Sequence, residues 1–315
     1  MTTSEAPPKV IPRSKSERVA NVSKAAKSLC AGGLSGAISR TAVAPLERIK
    51  ILFQVQHLSV PEQAAPRHTS LIQSFADLVR RQGFGSLWQG NGVNCIRIVP
   101  QSAIQFFCFE QYCQQLLGKS KNEATALERL VVGGAAGATA QTCTYPLDLM
   151  RARLAVDFRG QYTGLLSALR QVAAKEGLRG LFKGLVPTLC GVIPYVGTDF
   201  VIFGEMKKLL ADERGQLSVQ RSLLAGGVAG MAGQTIAFPL DTVRRTLQVQ
   251  AHMEQSGKSS ASRHGAMLDC IQTIWHQSGW RGFMRGYLPA LISSGPRVGI
   301  QFAAYEFISE YIIGK

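Results

Sequence analysis

Apolar residues recur along the chain in six long blocks of helical length, with three shorter patterned stretches lying between paired blocks. Two of the long blocks, 130–147 and 222–240, run uncharged for about the thickness of a bilayer's hydrocarbon. The other long blocks are interrupted by charges, so hydropathy alone does not separate a membrane bundle from a soluble helical solenoid. The short stretches carry apolar residues at helical spacing: Leu71, Phe75 and Leu78; Leu165, Leu169 and Val172; Leu268, Ile271 and Trp275. That spacing predicts amphipathic helices lying on a surface rather than spanning it.

The order of blocks is a threefold repeat. "AVAPLERIK", "CTYPLDLMR" and "IAFPLDTVR" align Pro45, Pro146 and Pro239; an acid follows two residues later (Glu47, Asp148, Asp241) and a base three residues after the acid (Lys50, Arg151, Arg244). Gly-x-x-x-Gly pairs precede each proline (Gly32/Gly36, Gly133/Gly137, Gly226/Gly230), and "QGFGSLWQG", "EGLRGLFKG" and "SGWRGFMRG" follow, ending at Gly90, Gly184 and Gly286. Glycine lowers helix propensity by roughly 1 kcal/mol per residue, which makes sense where close helix contact in lipid is the reward. A dinucleotide-binding loop is a poor reading, since no strand precedes any copy. The chain divides into a basic, disordered arm at 1–23 and repeats at 24–118, 126–212 and 219–312.

Six charges placed mid-bilayer cost roughly 2.5–3.5 kcal/mol each if they face lipid. They are therefore expected to face one another or water. The prolines, by kinking the helices, are expected to bring them together. Composition agrees with a membrane protein that handles anions: charged residues make up only 17% of the chain, apolar residues 46%, and the net charge is +15. Seven scattered cysteines without a C-x-x-C read as small buried side chains, and the five histidines show no metal-ligand spacing. No nucleophile–base pair, P-loop or EF-hand loop appears, so neither an enzyme nor a resident cofactor is implied. A soluble, basic nucleic-acid-binding protein would place its cations on one continuous face. Here they fall at repeat-equivalent sites.

Three P-x-[DE]-x-x-[KR] motifs, each followed by an aromatic-basic-Gly block, resemble the mitochondrial carrier family over about residues 24–312. The resemblance implies an all-α membrane protein: six transmembrane helices in a pseudo-threefold barrel, with three short helices along the matrix face. It implies a monomer in the mitochondrial inner membrane that works by alternating access, with anionic, cardiolipin-type lipid at the matrix-side helices. It implies a matrix gate of three ion pairs, Glu47–Arg151, Asp148–Arg244 and Asp241–Lys50. Gln54 and Gln248, one turn after Lys50 and Arg244, can brace two of these pairs; Ala155 at the third position cannot.

"QGNGVNCIRIVPQSAIQFF" and "SRTAVAPLERIKILFQVQ" resemble carriers of adenine-containing substrates, leaving AMP, ADP, ATP and coenzyme A open, with the nucleotides preferred. On that resemblance Arg97 is a substrate contact. Arg40, about 7.5 Å up the helix axis from Pro45, suits phosphate, as does Arg97. Gly191 and Val192 resemble an adenine slot, with Tyr195 and Asp199 as further cavity residues. Ser293 stands where such relatives usually carry lysine, with Arg297 one turn deeper to compensate, and Arg245 adds a cation near the gate. The family resemblance also implies a second motif, aromatic-acid-x-x-base, that closes the cytoplasmic side, and here that motif is degraded. Glu110 is followed by Cys113 where a base belongs, Lys207 is preceded by Gly204 where an acid belongs, and Glu306 is followed by Ser309 where a base belongs. Only the pair Lys207–Glu306 is expected to survive, which predicts a resting state open to the cytoplasm.

Overall fold

The computed structural model describes residues 15–56, 58, 70–118, 125–158, 160–211, 218–255 and 267–313. Among them are nine α-helices and no strand. The first repeat holds α1 (Lys15–Gln54), α2 (Leu71–Gln82) and α3 (Asn91–Leu117); the second α4 (Ala126–Ala155), α5 (Leu165–Gly180) and α6 (Leu185–Leu210); the third α7 (Val219–Gln255), α8 (Met267–Phe283) and α9 (Tyr287–Ile313). The first helix begins at Lys15, so residues 15–23 are helical rather than part of a disordered arm. Residues 1–14 of that expected arm lie outside the described residues.

The six long helices close into a ring, and its broadest seams join neighbouring repeats: α3 on α4, α6 on α7, and α9 on α1. The Gly-rich faces sit in these seams and in the α1–α3 contact. A Cβ at Gly36 would touch Ile98, one at Gly133 would touch Phe109, and one at Gly233 would fall 2.8 Å from the Tyr195 carbonyl. Small residues here let the backbones approach.

The ring is turned inside out relative to a soluble protein. Phe106, Phe107, Val131, Ile193, Val201, Leu224, Ile236 and Phe302 are exposed on its outside. Arg97, Asp148, Arg153, Arg245 and Gln248 are buried within. An apolar exterior around a charged interior suits hydrocarbon as the surrounding solvent. By length and hydropathy, Leu185–Leu210 and Arg221–Met253 are the described helices able to cross a bilayer unaided. The uncharged block 130–147 falls short because Gly, Ala, Thr and Gln dilute it.

Each short helix ends at a glycine with positive φ: Gly83 after α2 (82°), Gly177 within α5 (71°) and Gly279 within α8 (59°). The faces buried by these helices are Ser74 and Leu78, Ala168 and Val172, and Cys270 and Ile274. Leu268 and Trp275 of the third are exposed. The prolines lie inside α1, α4 and α7. Pro45 has no N–H to offer the Thr41 carbonyl, and the Trp88 indole donates to that oxygen instead, at 2.8 Å.

Candidate functional site

The C-terminal halves of α1, α4 and α7 converge just past their prolines, and the three expected ion pairs are all formed there. Arg151 pairs with Glu47, Arg244 with Asp148 at 2.5 Å, and Lys50 with Asp241 at 2.7 Å. Gln248 donates to Asp148 at 2.9 Å and Gln54 to Asp241 at 3.1 Å. Beyond the ring of charges the ends of these three helices, with the turns after α1 and α4, bury Ile51, Val55, Leu58, Ala152, Ala155, Val156, Val249 and Met253 in an apolar cluster.

Several residues read from the sequence as substrate contacts are also bound to the gate carboxylates. Arg97 is buried rather than facing lipid, and its Nη1 lies 2.7 Å from Asp148 Oδ1. Arg245 lies 3.5 Å from Asp148 and 3.9 Å from Asp241. Arg297, nearly half exposed, lies 3.7 Å from Glu47. Arg40 Nη1 donates to the side-chain oxygen of Asn94, Oδ1, at 2.9 Å. The Nε atoms of Arg97, Arg244 and Arg245 are buried without a hydrogen-bond partner. Buried donors are normally satisfied, and that of Arg245 faces Asp241 at 3.9 Å, beyond hydrogen-bond reach.

Beside the ion pairs an open polar recess is lined by Glu47, Lys50, Arg151, Gln234, Arg245, Ser293, Ser294 and Arg297, together with Ile51 and Ala290. Ser293 is buried and donates to the Ala290 carbonyl at 2.9 Å. A Cβ at Gly191 would meet Leu240 of α7 at 3.7 Å, an ordinary contact that places this glycine beside the α6–α7 seam. Val192 and Asp199 are half-buried and Tyr195 is 40% exposed. At the far end of the ring Glu110, Lys207 and Glu306 are exposed. Among the described residues no ion pair joins Lys207 to Glu306, so the one cytoplasmic pair left by the sequence is open.

Three glycines that the sequence marked only as block ends hold the gate helices in place. Gly90, Gly184 and Gly286 take φ of 85°, 84° and 82°, a region that disfavours side chains. A Cβ on them would fall 2.9 Å from the Arg151 carbonyl, 3.0 Å from that of Arg244 and 2.8 Å from that of Lys50, respectively. Each even-numbered long helix of the barrel thus begins against the backbone of a gate cation of the following repeat. Threefold recurrence at the gate cations was the available signal; the packing itself was not legible. Tyr145, Asn94, Gln234 and Ser294 also went unread.

Compared with known proteins, the chain matches the family model described as mitochondrial carrier protein three times, at residues 21–120, 122–214 and 215–315. A mitochondrial adenine nucleotide transporter of Arabidopsis thaliana is 37% identical over 310 residues, covering 91% of this chain and 87% of that relative. A human mitochondrial adenyl nucleotide antiporter is 36% identical over 284 residues, covering 89% of this chain. This chain spans only 57% of that antiporter's length. A mitochondrial carrier protein of Arabidopsis thaliana named CoAc1 is 36% identical over 304 residues, covering 91% of this chain and 90% of the relative.

Proposed function

The chain belongs to the mitochondrial carrier family, and from that premise we propose that it exchanges adenine nucleotides (ATP, ADP and AMP) across the mitochondrial inner membrane by alternating access. The observation that carries this reading is the charge on the cavity floor. Arg40, Lys50, Arg97, Arg151, Arg244, Arg245 and Arg297 stand against Glu47, Asp148 and Asp241, seven cations to three carboxylates. Inside a low-dielectric barrel such an excess attracts a polyphosphate strongly, and guanidiniums grip phosphate in bidentate fashion. The relatives named for adenine nucleotides support the choice of base. Val192, Tyr195 and Asp199, on α6 across the cavity, are the side chains proposed to meet it, with Gly191 keeping α6 close to α7.

The mechanism follows from the shared arginines. A phosphate that draws Arg97, Arg245 and Arg297 toward itself removes them from Asp148, Asp241 and Glu47. Buried ion pairs contribute little net stability because desolvation offsets attraction, so substrate binding can offset their loss and let the matrix end open. With the matrix pairs formed and Lys207 apart from Glu306, the substrate-free protein rests open to the cytoplasm. Anionic lipid is proposed to meet the basic last turns of the short helices, at Arg80 and Arg81, Arg179, and Arg281, and a monomer suffices for the cycle.

Coenzyme A and adenosine 3',5'-diphosphate share the adenine and the phosphates, and the CoAc1 relative keeps them as the second reading. The test is reconstitution into liposomes preloaded with each candidate. Uptake of labelled ATP, ADP and AMP against internal nucleotide, well above uptake of coenzyme A, is the expected result. Uptake of coenzyme A alone would select the second reading, and uptake of none of them would end both.

A further inference from the structure

Tyr145 stands one residue before Pro146 and is fully buried. Its ring stacks on Phe182, with centroids 6.3 Å apart. Its hydroxyl donates to the Lys183 carbonyl at 2.7 Å. The single hydroxyl proton is therefore committed, and the oxygen meets Gln248 Nε2, 3.0 Å away, as an acceptor. The other Nε2 proton of Gln248 goes to Asp148 Oδ2 at 2.9 Å. Gln248 Oε1 accepts from Arg245 Nη1 at 2.8 Å. The chain of donors leaves the amide one orientation: nitrogen toward the gate carboxylate, oxygen toward the arginine.

The corresponding positions in the other repeats are Ala44 and Phe238, neither of which has a hydroxyl. Gln54, the other brace, has a buried Oε1 without a partner. Phe238 does something else, lying 5.3 Å beneath the Lys50 ammonium. Gln54 Nε2 also reaches a hydroxyl, Thr242 Oγ1, which donates to the Phe283 carbonyl, but at a longer 3.4 Å; the Asp148 corner is the one whose brace is held at both ends of its amide, by Tyr145 and Arg245. The hold crosses repeats: Tyr145 and Lys183 belong to the second repeat and Gln248 to the third, so the bond breaks when α4 and α7 part.

We propose that Tyr145 is a positioning residue of the matrix gate, which orients Gln248 onto Asp148 and ties that corner to the start of α6. The proposal rests on the alternating-access reading above but not on which substrate is carried. Its test needs no substrate. A cysteine at Ser294, which lines the recess and is less buried than Ser293, is placed in a full-length cysteine-free carrier. Its reaction with an impermeant maleimide is then timed in inverted inner-membrane vesicles, which present the matrix face.

Tyr145→Phe keeps the ring stacked and removes only the hydroxyl. It should raise the matrix-side labelling rate about fivefold, the weight of one net hydrogen bond. Gln248→Ala should raise it further, and adding Tyr145→Phe to Gln248→Ala should add nothing, because the hydroxyl acts through the amide. An unchanged rate in Tyr145→Phe, or effects that multiply in the double variant, would overturn the proposal and leave Tyr145 a packing residue. A parent that labels equally from both faces has no gate, and both readings would fall together. Absence of nucleotide uptake with normal sidedness of labelling would remove only the substrate.

Discussion

Asp148 and Glu47 hold the same place in successive repeats and face the same ring, yet their surroundings differ. The Asp148 side chain is 1% exposed and receives Arg244, Arg97, Arg245 and Gln248, with Tyr145 behind the last. The Glu47 side chain is 13% exposed and has Arg151 and, farther off, the half-exposed Arg297, with Ala155 where a brace would stand. Asp241 lies between them in its partners: Lys50, Gln54 and a distant Arg245. A carboxylate removed wholly from water needs several donors to remain ionised, whereas one that keeps some water needs fewer. Symmetry of motif has therefore not given symmetry of strength. If the ring opens as proposed, the Glu47 corner, with the fewest donors, is expected to yield before the Asp148 corner.

The largest expected effect comes from removing the acids. Asp148→Asn leaves three guanidiniums clustered without their anion, and breaking a buried pair from one side costs about 3–5 kcal/mol. Glu47→Gln leaves a wetter, looser pair unmatched and should cost about 1–2 kcal/mol. Thermal unfolding of the two purified carriers in the same detergent measures the difference. A larger loss in Glu47→Gln would reverse the ranking of corners.

How much of this was legible before the fold was known depends on what kind of contact each residue makes. Pro45, Glu47 and Lys50 were legible with their counterparts, because threefold recurrence of charges on apolar helices leaves few places for them to go. Gln54 and Gln248 followed from one turn of helix. Arg97 was assigned to substrate, and its bond to Asp148 was not foreseen, since the two belong to different repeats and no periodicity links them. The approach of Gly191 to Leu240 was not legible, because a glycine's sequence neighbours do not say which helix it packs against. Trp88 on the Thr41 carbonyl, and Tyr145 on that of Lys183, are side-chain bonds to distant backbone, which leave no pattern in sequence at all.

The glycine contacts sharpen the comparison in a second way. Gly184 combines a φ of 84° with a site where a Cβ would lie 2.8 Å from the Tyr145 hydroxyl and 3.0 Å from the Arg244 carbonyl. Gly184→Ala should cost about 1–3 kcal/mol, the range for a strained backbone position. The substitution pushes directly on the Asp148 corner. Gly191→Ala, whose Cβ would find only an ordinary contact, should melt close to the parent. Equal losses in the two would mean that helix packing in general, rather than the anchored corner, sets the stability.

The smallest expected effect is a gain. Ala155 stands four residues after Arg151, as Gln54 follows Lys50 and Gln248 follows Arg244. At those two corners the glutamine Cγ packs near the Cβ position of Gly286 or Gly184, at 3.2 and 3.3 Å. At the third, a Cβ on Gly90 would instead lie 3.4 Å from the Ala155 backbone nitrogen. A shallow, partly open recess lined by Glu47, Arg151, Asn91 and Ala155 among others lies beside it. Arg48 holds the Ala155 carbonyl at 2.9 Å through the backbone, a bond that a longer side chain leaves in place. Ala155→Gln should therefore reach Glu47 as the other glutamines reach their acids, adding one hydrogen bond to the corner that yields first. About fivefold slower matrix-side labelling of a Ser294 cysteine is the expected size of one such bond, with nucleotide exchange slowed in step because the gate must now break it each cycle. If labelling is unchanged or faster, the weakness of the Glu47 corner does not lie in its missing brace, and the looser hold of Arg297 becomes its cause.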